Sequence, residues 1–338
     1  MNYTFNESVI LFGGNSEERL VSMASAQNIS GQLPEAALWF LAKDGRVYLL
    51  TKEEVAGHKD AFTVEFISKS PVKYQSLGDG MKDLKGKVVI MGLHGTEGED
   101  GQLQKQFEEA GIKFTGTGSK ASAVAFDKVA TKELARKNKL PVVEELVVKK
   151  FGPSEISEVR TFMETHRKIV LKPNANGSSV GLFILSSMDE LNVALEKLKT
   201  STDSYLAEPF ITGREMTVGV RQKSDGSISP LPCSEIRVIK GRQFDYKGKY
   251  LGSGVEELTP APINSEEKRV CQELALKMHK ALGCRGYTRT DMILTEKGPI
   301  LLETNTLPGL SKASFIPQQL VANGENLRDF FLEQINLP

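Results

Sequence analysis

The chain has 338 residues, of which 40% are hydrophobic and 25% are charged, an ordinary globular composition that predicts two or three compact units. Lysine plus arginine equals aspartate plus glutamate at 43 each, so no overall field would recruit nucleic acid or an anionic membrane. No apolar run approaches the roughly 18 residues that span a bilayer.

Other features predict a cytoplasmic protein that acts on small molecules. The N-terminus lacks the charged region and apolar core of a secretory signal. The three cysteines and four histidines follow no metal-ligand spacing, and an odd number of cysteines favours reduced thiols. We therefore expect neither nucleic acid nor a membrane among the partners.

The chain begins with a predicted strand at 8–12, followed by Gly13 and Gly14 and by a helix that starts near Glu17. A strand, a glycine turn and a helix N-terminus together suit an anion or a dinucleotide. The dinucleotide fingerprint requires a third glycine at fixed spacing, which this stretch does not have. A tight turn is the alternative explanation for the two glycines.

A second strand, at 88–92, runs into a glycine-rich acidic loop at 95–101 and places His94 at its carboxyl end. Ligands of open α/β sheets bind at this edge, so His94 is a candidate binding residue, although a lone histidine is often structural. A following helix and strand complete a predicted α/β domain with a mostly parallel sheet, residues 1–118.

The middle of the chain supplies basic residues. We predict one helix over 119–137, with Lys128 in its middle, and a strand over 168–173 that carries Lys172 near its end. The loop at 174–181 is rich in glycine and serine, and its N–H groups and hydroxyls suit phosphates. Lys172 is therefore a candidate phosphate ligand, the alternative being a solvated surface charge.

The last third contains a predicted lid and several helices. Residues 240–256 include four glycines and few apolar residues besides aromatics, which predicts a mobile lid that excludes water from the site. Residues 265–282 follow an amphipathic helical pattern, and helices near 315–322 and 326–335 end the chain.

The stretch that starts at Arg289 carries the strongest chemical signal. Two apolar runs flank 296–298, a pattern that predicts a strand–turn–strand hairpin. Side chains alternate across a strand, so Arg289 and Asp291 share one face. Glu303 and Asn305 share one face for the same reason.

Two carboxylates and an amide oxygen on one hairpin form an all-oxygen cluster that suits Mg²⁺. The alternative is an exposed hairpin with solvated acids. The acids interrupt apolar runs such as 300–302, however, and burying two acids without a cation would be costly. We therefore predict a metal site here.

Taken together, the motifs resemble an ATP-grasp ligase. They are Lys128, Lys172 with the loop 177–181, Glu208, Glu215, and the group Asp291, Glu303 and Asn305. Further motifs narrow the resemblance to the D-alanine–D-alanine ligase family over nearly the whole chain. These are residues 13–19, His94 and Gly95 with residues 98–101, and residues 244–250. Their order and spacing together are highly specific.

The resemblance implies an ATP-grasp fold that mixes α/β and α+β architecture. Its parts would be an N-terminal open parallel α/β domain (1–118) for substrate binding and a central α+β lid domain (119–207). A C-terminal α+β domain (208–338) would hold the metal site and the mobile loop 240–256.

The family joins two D-alanines into a dipeptide for the bacterial cell wall. ATP phosphorylates the carboxylate of the first D-alanine, and the amine of the second attacks the acyl phosphate. The resemblance therefore implies ATP and D-alanine as small-molecule substrates, the use of two Mg²⁺ ions with Mn²⁺ as a substitute, and a cytoplasmic homodimer.

The resemblance also assigns a role to each matching residue. Catalytic roles fall to Glu18, Ser178, Tyr250, Arg289 and Gly309. Substrate contacts fall to Glu18, His94, Arg289, Gly309 and Ser314. Nucleotide contacts fall to Lys128, Lys172, Ser178, Ser179, Glu208, Phe210, Ile211, Glu215 and Lys249. Metal coordination falls to Asp291, Glu303 and Asn305.

Four positions bear on the resemblance. Pro209 stands where many relatives carry a lysine, and proline lacks the N–H but keeps a carbonyl that an adenine amino group can donate to. Leu310 and Ser311 replace the more usual Met-Thr. Tyr250 is kept, which argues against the related ligases that make D-alanyl-D-lactate.

Two other functions stay open. The same fold could make D-alanyl-D-serine or another dipeptide, because the acceptor pocket depends on residues that the sequence does not place. A nucleotide-binding regulator without turnover fits less well, because loss of metal ligands would mark such a protein and Asp291, Glu303 and Asn305 are intact.

Overall fold

A computed structural model describes residues 3–175, 177, 180–238 and 254–337 of the chain. Four predicted site residues lie outside these ranges: Ser178, Ser179, Lys249 and Tyr250. No helix in the described ranges is long and apolar enough to cross a membrane.

The N-terminal part builds a sheet with helices around it. Its strands are β1 (Ser8–Gly13), β2 (Ala37–Leu41), β3 (Val47–Leu50), β4 (Val72–Tyr74), β5 (Val88–Met91) and β6 (Lys113–Phe114). Its helices are α1 (Arg19–Gln32), α2 (Lys52–Gly57), α3 (Leu77–Gly80) and α4 (Gln102–Ala110), with short 3₁₀ turns at Phe5–Glu7 and Met81–Leu84.

The described strands of this sheet follow the order β4-β3-β2-β1-β5-β6. β1 pairs in parallel with β2 and β5, and β5 with β6, whereas β3 and β4 are joined antiparallel at one edge. Val9, Ile10, Leu11 and Phe12 of β1 are fully buried, as expected for a central parallel strand covered on both faces. The predicted mostly parallel sheet is confirmed.

The central part is a smaller antiparallel sheet. Its elements are β7 (Leu146–Val148), α7 (Pro153–His166), β8 (Ile169–Pro173), β9 (Phe183–Leu185), α8 (Met188–Leu198) and β10 (Tyr205–Pro209). The strands follow the order β7-β10-β8-β9 in the described residues. Leu206 lies opposite Lys172 and Glu208 lies opposite Val170, so Glu208 and Lys172 share the face that α7 and α8 leave uncovered.

The single helix predicted over 119–137 is wrong. The structure has two helices, α5 (Ser119–Phe126) and α6 (Lys128–Lys137), separated at Asp127. The Asp127 backbone is extended (φ −88°, ψ 108°), and its side chain accepts a hydrogen bond from Ala130 N at 2.9 Å. Aspartate competes for backbone N–H groups and therefore favours a helix N-cap over a helix interior. Lys128 consequently occupies the first position of α6.

The C-terminal part is an antiparallel sheet with helices on both sides. Its elements are β11 (Arg214–Gln222), β12 (Ile228–Val238), β13 (Val255–Leu258), α9 (Ser265–Leu282), β14 (Tyr287–Thr295), β15 (Gly298–Asn305), α10 (Phe315–Ala322) and α11 (Leu327–Ile335). The described strands follow the order β13-β12-β11-β14-β15. Thr295 pairs with Gly298 across a tight turn, which confirms the predicted hairpin.

Two segments differ from their predicted place. The end of the predicted lid, at Val255, already belongs to β13, because it pairs with Val238 of β12; residues 239–253 lie outside the described ranges. Helices α5 and α6 pack with α9 on the five-stranded sheet, although the sequence places them in the central domain. The domain boundaries remain a prediction.

Packing between the sheets gathers the site elements. Tyr287 of β14 contacts Phe330 of α11 with ring centroids 5.2 Å apart, in a core that also contains Ile10 and Phe12 of β1. The ends of β1 and β5 therefore come close to the β14–β15 hairpin.

Candidate active site

The β14–β15 hairpin places the four predicted polar side chains on one face. Asp291 lies opposite Glu303 in the register. Arg289 lies opposite Asn305. Opposite residues of an antiparallel pair project from the same face, as do residues two apart on one strand, so the predicted shared face is confirmed. The register of the two strands shifts directly after Asp291. Such irregularities often occur next to active sites, where they change the direction of a side chain.

Three neighbours hold the Asp291 carboxylate. Arg289 donates to it twice, from Nε to Oδ1 at 2.9 Å and from Nη2 to Oδ2 at 2.7 Å. Thr217 Oγ1 donates to Oδ1 at 2.6 Å, and Asn305 Nδ2 donates to Oδ2 at 3.1 Å. A bidentate arginine–carboxylate pair fixes the orientation of both groups.

Lys128 reaches the second carboxylate of the hairpin. Its Nζ lies 3.3 Å from Glu303 Oε2, and its side chain is buried. The Lys128 backbone N–H donates to Asn174 O at 3.2 Å, which ties the start of α6 to the chain beyond β8. The helix break at Asp127 is therefore what aims this lysine at the hairpin.

Two cavities meet at the hairpin face. The first, the Arg289 cavity, is lined by residues that include Glu18, His94, Glu99, Glu257, Arg289, Asn305, Gly309 and Ser314. The second, the Lys172 cavity, is lined by residues that include Val170, Lys172, Leu182, Ile184, Glu208, Pro209, Phe210, Ile211 and Leu302. Residues that line both are Lys128, Gly177, Glu215, Asp291 and Glu303. A group that passes between molecules in the two cavities crosses this face.

Both oxygens of Glu208 are paired in the Lys172 cavity. Lys172 Nζ lies 2.8 Å from Oε2, and Lys132 Nζ lies 2.6 Å from Oε1. Burial raises the pKa of Glu208, but the ammonium groups of Lys172 and Lys132 outweigh burial and hold it below its usual range. Glu208 therefore carries a fixed negative charge that positions Lys172.

Lys132 is a residue of this network that the sequence reasoning missed. Its side chain is 1% exposed, and its Nζ also lies 2.9 Å from Glu145 Oε2. The available signal was its spacing, because residues four apart lie on one side of a helix and Lys132 follows Lys128 by four. That spacing alone does not distinguish a buried lysine from a solvated one.

The rest of the Lys172 cavity is largely apolar. Phe210 contributes its ring, over which Lys168 Nζ lies 3.6 Å from the centroid. The Phe210 N–H donates to Lys168 O at 2.9 Å, so this donor is already paired with the backbone that precedes β8. A slot with apolar walls and lysines at one end suits a planar ring that carries a polyanion.

His94 links β5 to the chain after β15. Its Nδ1 lies 2.8 Å from Leu307 O, and because a carbonyl only accepts, this nitrogen carries the proton. Nε2 lies 2.8 Å from Ser25 Oγ, which in turn accepts from Leu310 N at 3.1 Å. Burial lowers the pKa of His94, against the opposing influence of Glu18, so the neutral ring is favoured. His94 therefore supports the backbone on both sides of Gly309.

Glu18 lies where the N-terminal and central parts meet. Its backbone N–H donates to Ser16 Oγ at 2.9 Å, and Ser16 Oγ donates to His94 O at 2.6 Å. A Cβ added at Gly177, in the loop between β8 and β9, would lie 2.5 Å from Glu18 Oε2. Only glycine lets this loop approach the carboxylate so closely.

Glu99 is a second site residue that the sequence reasoning did not single out. It is half-buried, lines the Arg289 cavity and accepts a hydrogen bond from Gly95 N at 3.0 Å. Burial, with the nearby charge of Glu18, raises the pKa of Glu99 to about 8. The signal in the sequence was an acid inside a glycine-rich loop beside His94.

Gly309 and Ser314 close the far side of the Arg289 cavity. A Cβ added at Gly309 would lie 2.7 Å from Ser314 Oγ, so a side chain does not fit there. Ser314 precedes α10, and its Oγ accepts from Ser311 N at 3.1 Å and contacts Ser311 Oγ at 2.8 Å.

The predicted metal ligands fit a hard cation. Within the described ranges, no three or more histidine, cysteine, aspartate or glutamate side chains form a metal cluster, so the predicted set needs the amide of Asn305 as its third ligand. Asp291 and Glu303 face each other and already attract the cationic groups of Arg289 and Lys128. An all-oxygen set of this kind suits Mg²⁺ held jointly with substrate phosphates.

The predicted site residues that the structure describes therefore gather at the two cavities. At the Arg289 cavity are Glu18, His94, Lys128, Arg289, Asp291, Glu303, Asn305, Gly309 and Ser314. At the Lys172 cavity are Lys128, Lys172, Glu208, Phe210, Ile211 and Glu215. These cavities and the sheets around them define the class of this protein, which is an ATP-grasp enzyme.

Comparisons with known proteins narrow this class. Residues 7–117 match the family profile described as "D-ala D-ala ligase N-terminus", and residues 134–335 match "D-ala D-ala ligase C-terminus". The D-alanine–D-alanine ligase of Leptospira biflexa is 32% identical over 335 residues, which are 95% of each chain. That of Leptospira interrogans serovar Lai is 33% identical over 97% of each chain.

Solved structures agree with this. The VanG D-Ala:D-Ser ligase from Enterococcus faecalis superposes with a TM-score of 0.79 at 27% identity over 97% of both chains. The D-alanyl-alanine synthetase A from Vibrio cholerae superposes with a TM-score of 0.79 at 25% identity over 98% of both chains. The chain belongs to the D-alanine–D-alanine ligase family and is a ligase.

Replacing Lys132 by methionine is expected to destabilise the fold. The change leaves Glu145 and Glu208 without a shared buried cation, and breaking such a pairing costs about 3–5 kcal/mol. The free energy of unfolding, measured by urea denaturation, checks this. Lys137→Met, at an exposed position of the same helix, is the matched control and should change it by less than about 0.5 kcal/mol. Equal stability of the two variants would contradict the role of Lys132.

The raised pKa of Glu99 predicts a pH dependence of stability. The folded state keeps the proton up to about pH 8, whereas the unfolded chain loses it near the ordinary value of 4.5. The folded state binds more protons in this window, so the contribution of Glu99 to stability falls as the pH rises from about 4.5 to 8.

Glu99→Gln removes this titration. The free energy of unfolding of the variant, relative to that of the wild type, should therefore increase as the pH rises across that window. Urea denaturation at several pH values measures the difference. Glu109→Gln, at an exposed position of α4, is the control. If the free energies of unfolding of wild type and Glu99→Gln change in parallel with pH, the raised pKa of Glu99 is refuted.

Proposed function

We propose that the chain uses ATP to join two D-alanines into D-alanyl-D-alanine, through an acyl phosphate, for peptidoglycan precursor synthesis. The observation that carries this proposal is the hairpin face with Arg289, Asp291 and Glu303 where the two cavities meet. One cavity suits a nucleotide, the other suits amino acids, and the shared face lies between them.

ATP would occupy the Lys172 cavity. Its base would lie against the apolar wall near Phe210 and Ile211, with the Pro209 carbonyl as an acceptor. Lys128 and Lys172 would balance the charge of the phosphates. Glu208 acts mainly by holding Lys172, since both of its oxygens are already paired with lysines.

By resemblance, other residues would complete the nucleotide site. Glu215, which lines both cavities, would contact the ribose. Ser178, Ser179 and Lys249 would contact phosphates, and they lie outside the described residues.

Asp291, Glu303 and Asn305 would hold Mg²⁺, which in such sites neutralises phosphate charge and aligns the transferring group. We propose two ions, with Mn²⁺ as a substitute. Lys128 and Arg289 now lie against the two carboxylates, so both are close enough to share the phosphate charge. Phosphoryl transfer needs this alignment and charge balance more than covalent help from the protein.

The first D-alanine would bind with its ammonium group on Glu18. The carboxylate of Glu18 lies against the loop at Gly177, and its position is tied to His94 through Ser16. Ser178 and Tyr250, by resemblance, would join the phosphate loop to the lid over this substrate.

The chemical step would rely on Arg289 and Gly309. Arginine cannot lose its proton, so it can stabilise both the transferring phosphoryl group and the tetrahedral oxyanion. The Gly309 N–H would be a second oxyanion donor, in backbone that His94 supports through Leu307 and Leu310. Ser314 would take the carboxylate of the second D-alanine.

A second candidate function is a D-alanine–D-serine ligase, favoured by the likeness to the Enterococcus faecalis enzyme of that name at 27% identity. The resemblance to the family further predicts a homodimer in the cytoplasm, which we include in the proposal. A regulator without turnover is disfavoured by the assembled hairpin face.

A product assay tests the function. The chain is incubated with ATP, Mg²⁺ and D-alanine, with or without D-serine, and the products are identified by mass. We expect D-alanyl-D-alanine and phosphate release that depends on D-alanine. Phosphate release from ATP that does not depend on D-alanine would reject the proposal. D-alanyl-D-serine as the main product would favour the second candidate.

Arg289→Ala should lower kcat by about 10²–10³, the effect of removing one oxyanion donor. The turnover number for dipeptide formation measures this. Arg269→Ala is the control, because Arg269 pairs with Glu266 and Glu273 on the exposed side of α9. A turnover number near that of the wild type would overturn the role of Arg289.

A further inference from the structure

Glu257 lines the Arg289 cavity. In the sheet register Glu257 of β13 lies opposite Ile236 of β12, which lies opposite Glu215 of β11. All three line the cavity, so this row runs across the sheet on the face that also carries Asp291. The adjacent Glu256 projects from the other face and is exposed.

One hydrogen bond fixes the Glu257 carboxylate beside the start of α10. Gln318 Nε2 donates to Glu257 Oε2 at 3.0 Å and to Ala313 O at 2.8 Å. Gln318 therefore bridges the carboxylate and the backbone just before Ser314. The acid is held next to the residue that, in the proposed function, takes the carboxylate of the second amino acid.

Glu257 has no cationic partner among the described residues. Burial raises the pKa of its carboxyl group above its ordinary range, with Gln318 and the charge of Arg289 opposing the shift. Glu208 provides the contrast: it is buried, whereas Glu257 is half-buried, but two lysines hold the pKa of Glu208 below its usual range. A half-buried carboxylate that faces a cavity and has no salt bridge is stabilised when a ligand supplies the cation.

We propose that Glu257 binds the ammonium group of the second amino acid and so selects acceptors that carry an α-amine. This inference rests on the proposed function. A free α-amino acid carries its two charged groups on the same carbon, so a subsite with Ser314 for the carboxylate needs an acid nearby for the ammonium group. Glu18 would serve the first D-alanine in the same way, which gives one acid to each substrate.

The test separates the acceptor step from the first half of the reaction. Hydroxylamine, a small nucleophile that is largely uncharged at neutral pH, is added with D-alanine, competes with the second D-alanine and traps the acyl phosphate as D-alanyl hydroxamate with release of phosphate. Wild type, Glu257→Gln and Glu256→Gln are each assayed for dipeptide and hydroxamate. Glu256→Gln is the matched control, because it removes the same charge from the adjacent residue on the exposed face.

Glu257→Gln should lower the ratio of dipeptide to hydroxamate by about tenfold or more and raise the KM for the second D-alanine, as expected for loss of a charge-assisted hydrogen bond. The ratio should stay at the wild-type value in Glu256→Gln. An unchanged ratio in Glu257→Gln would overturn the inference, and so would equal loss of both products. A wild-type chain that forms neither product would instead overturn the proposed function, and this inference with it.

Discussion

Two buried carboxylates at the centre of the site, those of Asp291 and Glu208, are held by cations. Asp291 accepts two hydrogen bonds from Arg289, and Glu208 lies between Lys132 and Lys172. Removing a carboxylate from water costs several kcal/mol, so each acid needs its partner for the fold to tolerate it. Lys132 comes from α6 and Glu208 from β10, so the contact that stabilises this acid also joins α6 to the central sheet.

The hairpin could be predicted from the sequence because its information is local. The alternation of side chains fixes which residues share a face, and a short turn fixes the register that places Asp291 opposite Glu303. Helix α9 was equally predictable, since its amphipathic pattern begins after a capping asparagine, Asn264, and ends before Gly283. The roles of the individual residues came from the resemblance to the family and not from such patterns.

The parts that could not be predicted depend on contacts between distant segments. A helical pattern runs through Asp127, and only the bond to Ala130 reveals that the chain is capped there instead of continuing. Lys132 looks like a surface lysine until Glu145 and Glu208, from other elements, are placed beside it. Charge on a helix does not indicate burial, because both lysines and acids are usually solvated.

The two cavities differ in whether cations of the protein balance the charge of their acids. Acids of the Lys172 network have their cations within the protein, and the pKa of Glu208 is lowered accordingly. In the Arg289 cavity the pKa values of Glu99 and Glu257 are raised, because burial there is not offset by a protein cation of their own. In the proposed function, lysines contact the phosphates on one side of the hairpin, and acids contact the amino groups of the substrates on the other. A ligase that activates a carboxylate with a polyphosphate and then admits an amine requires this division of charge.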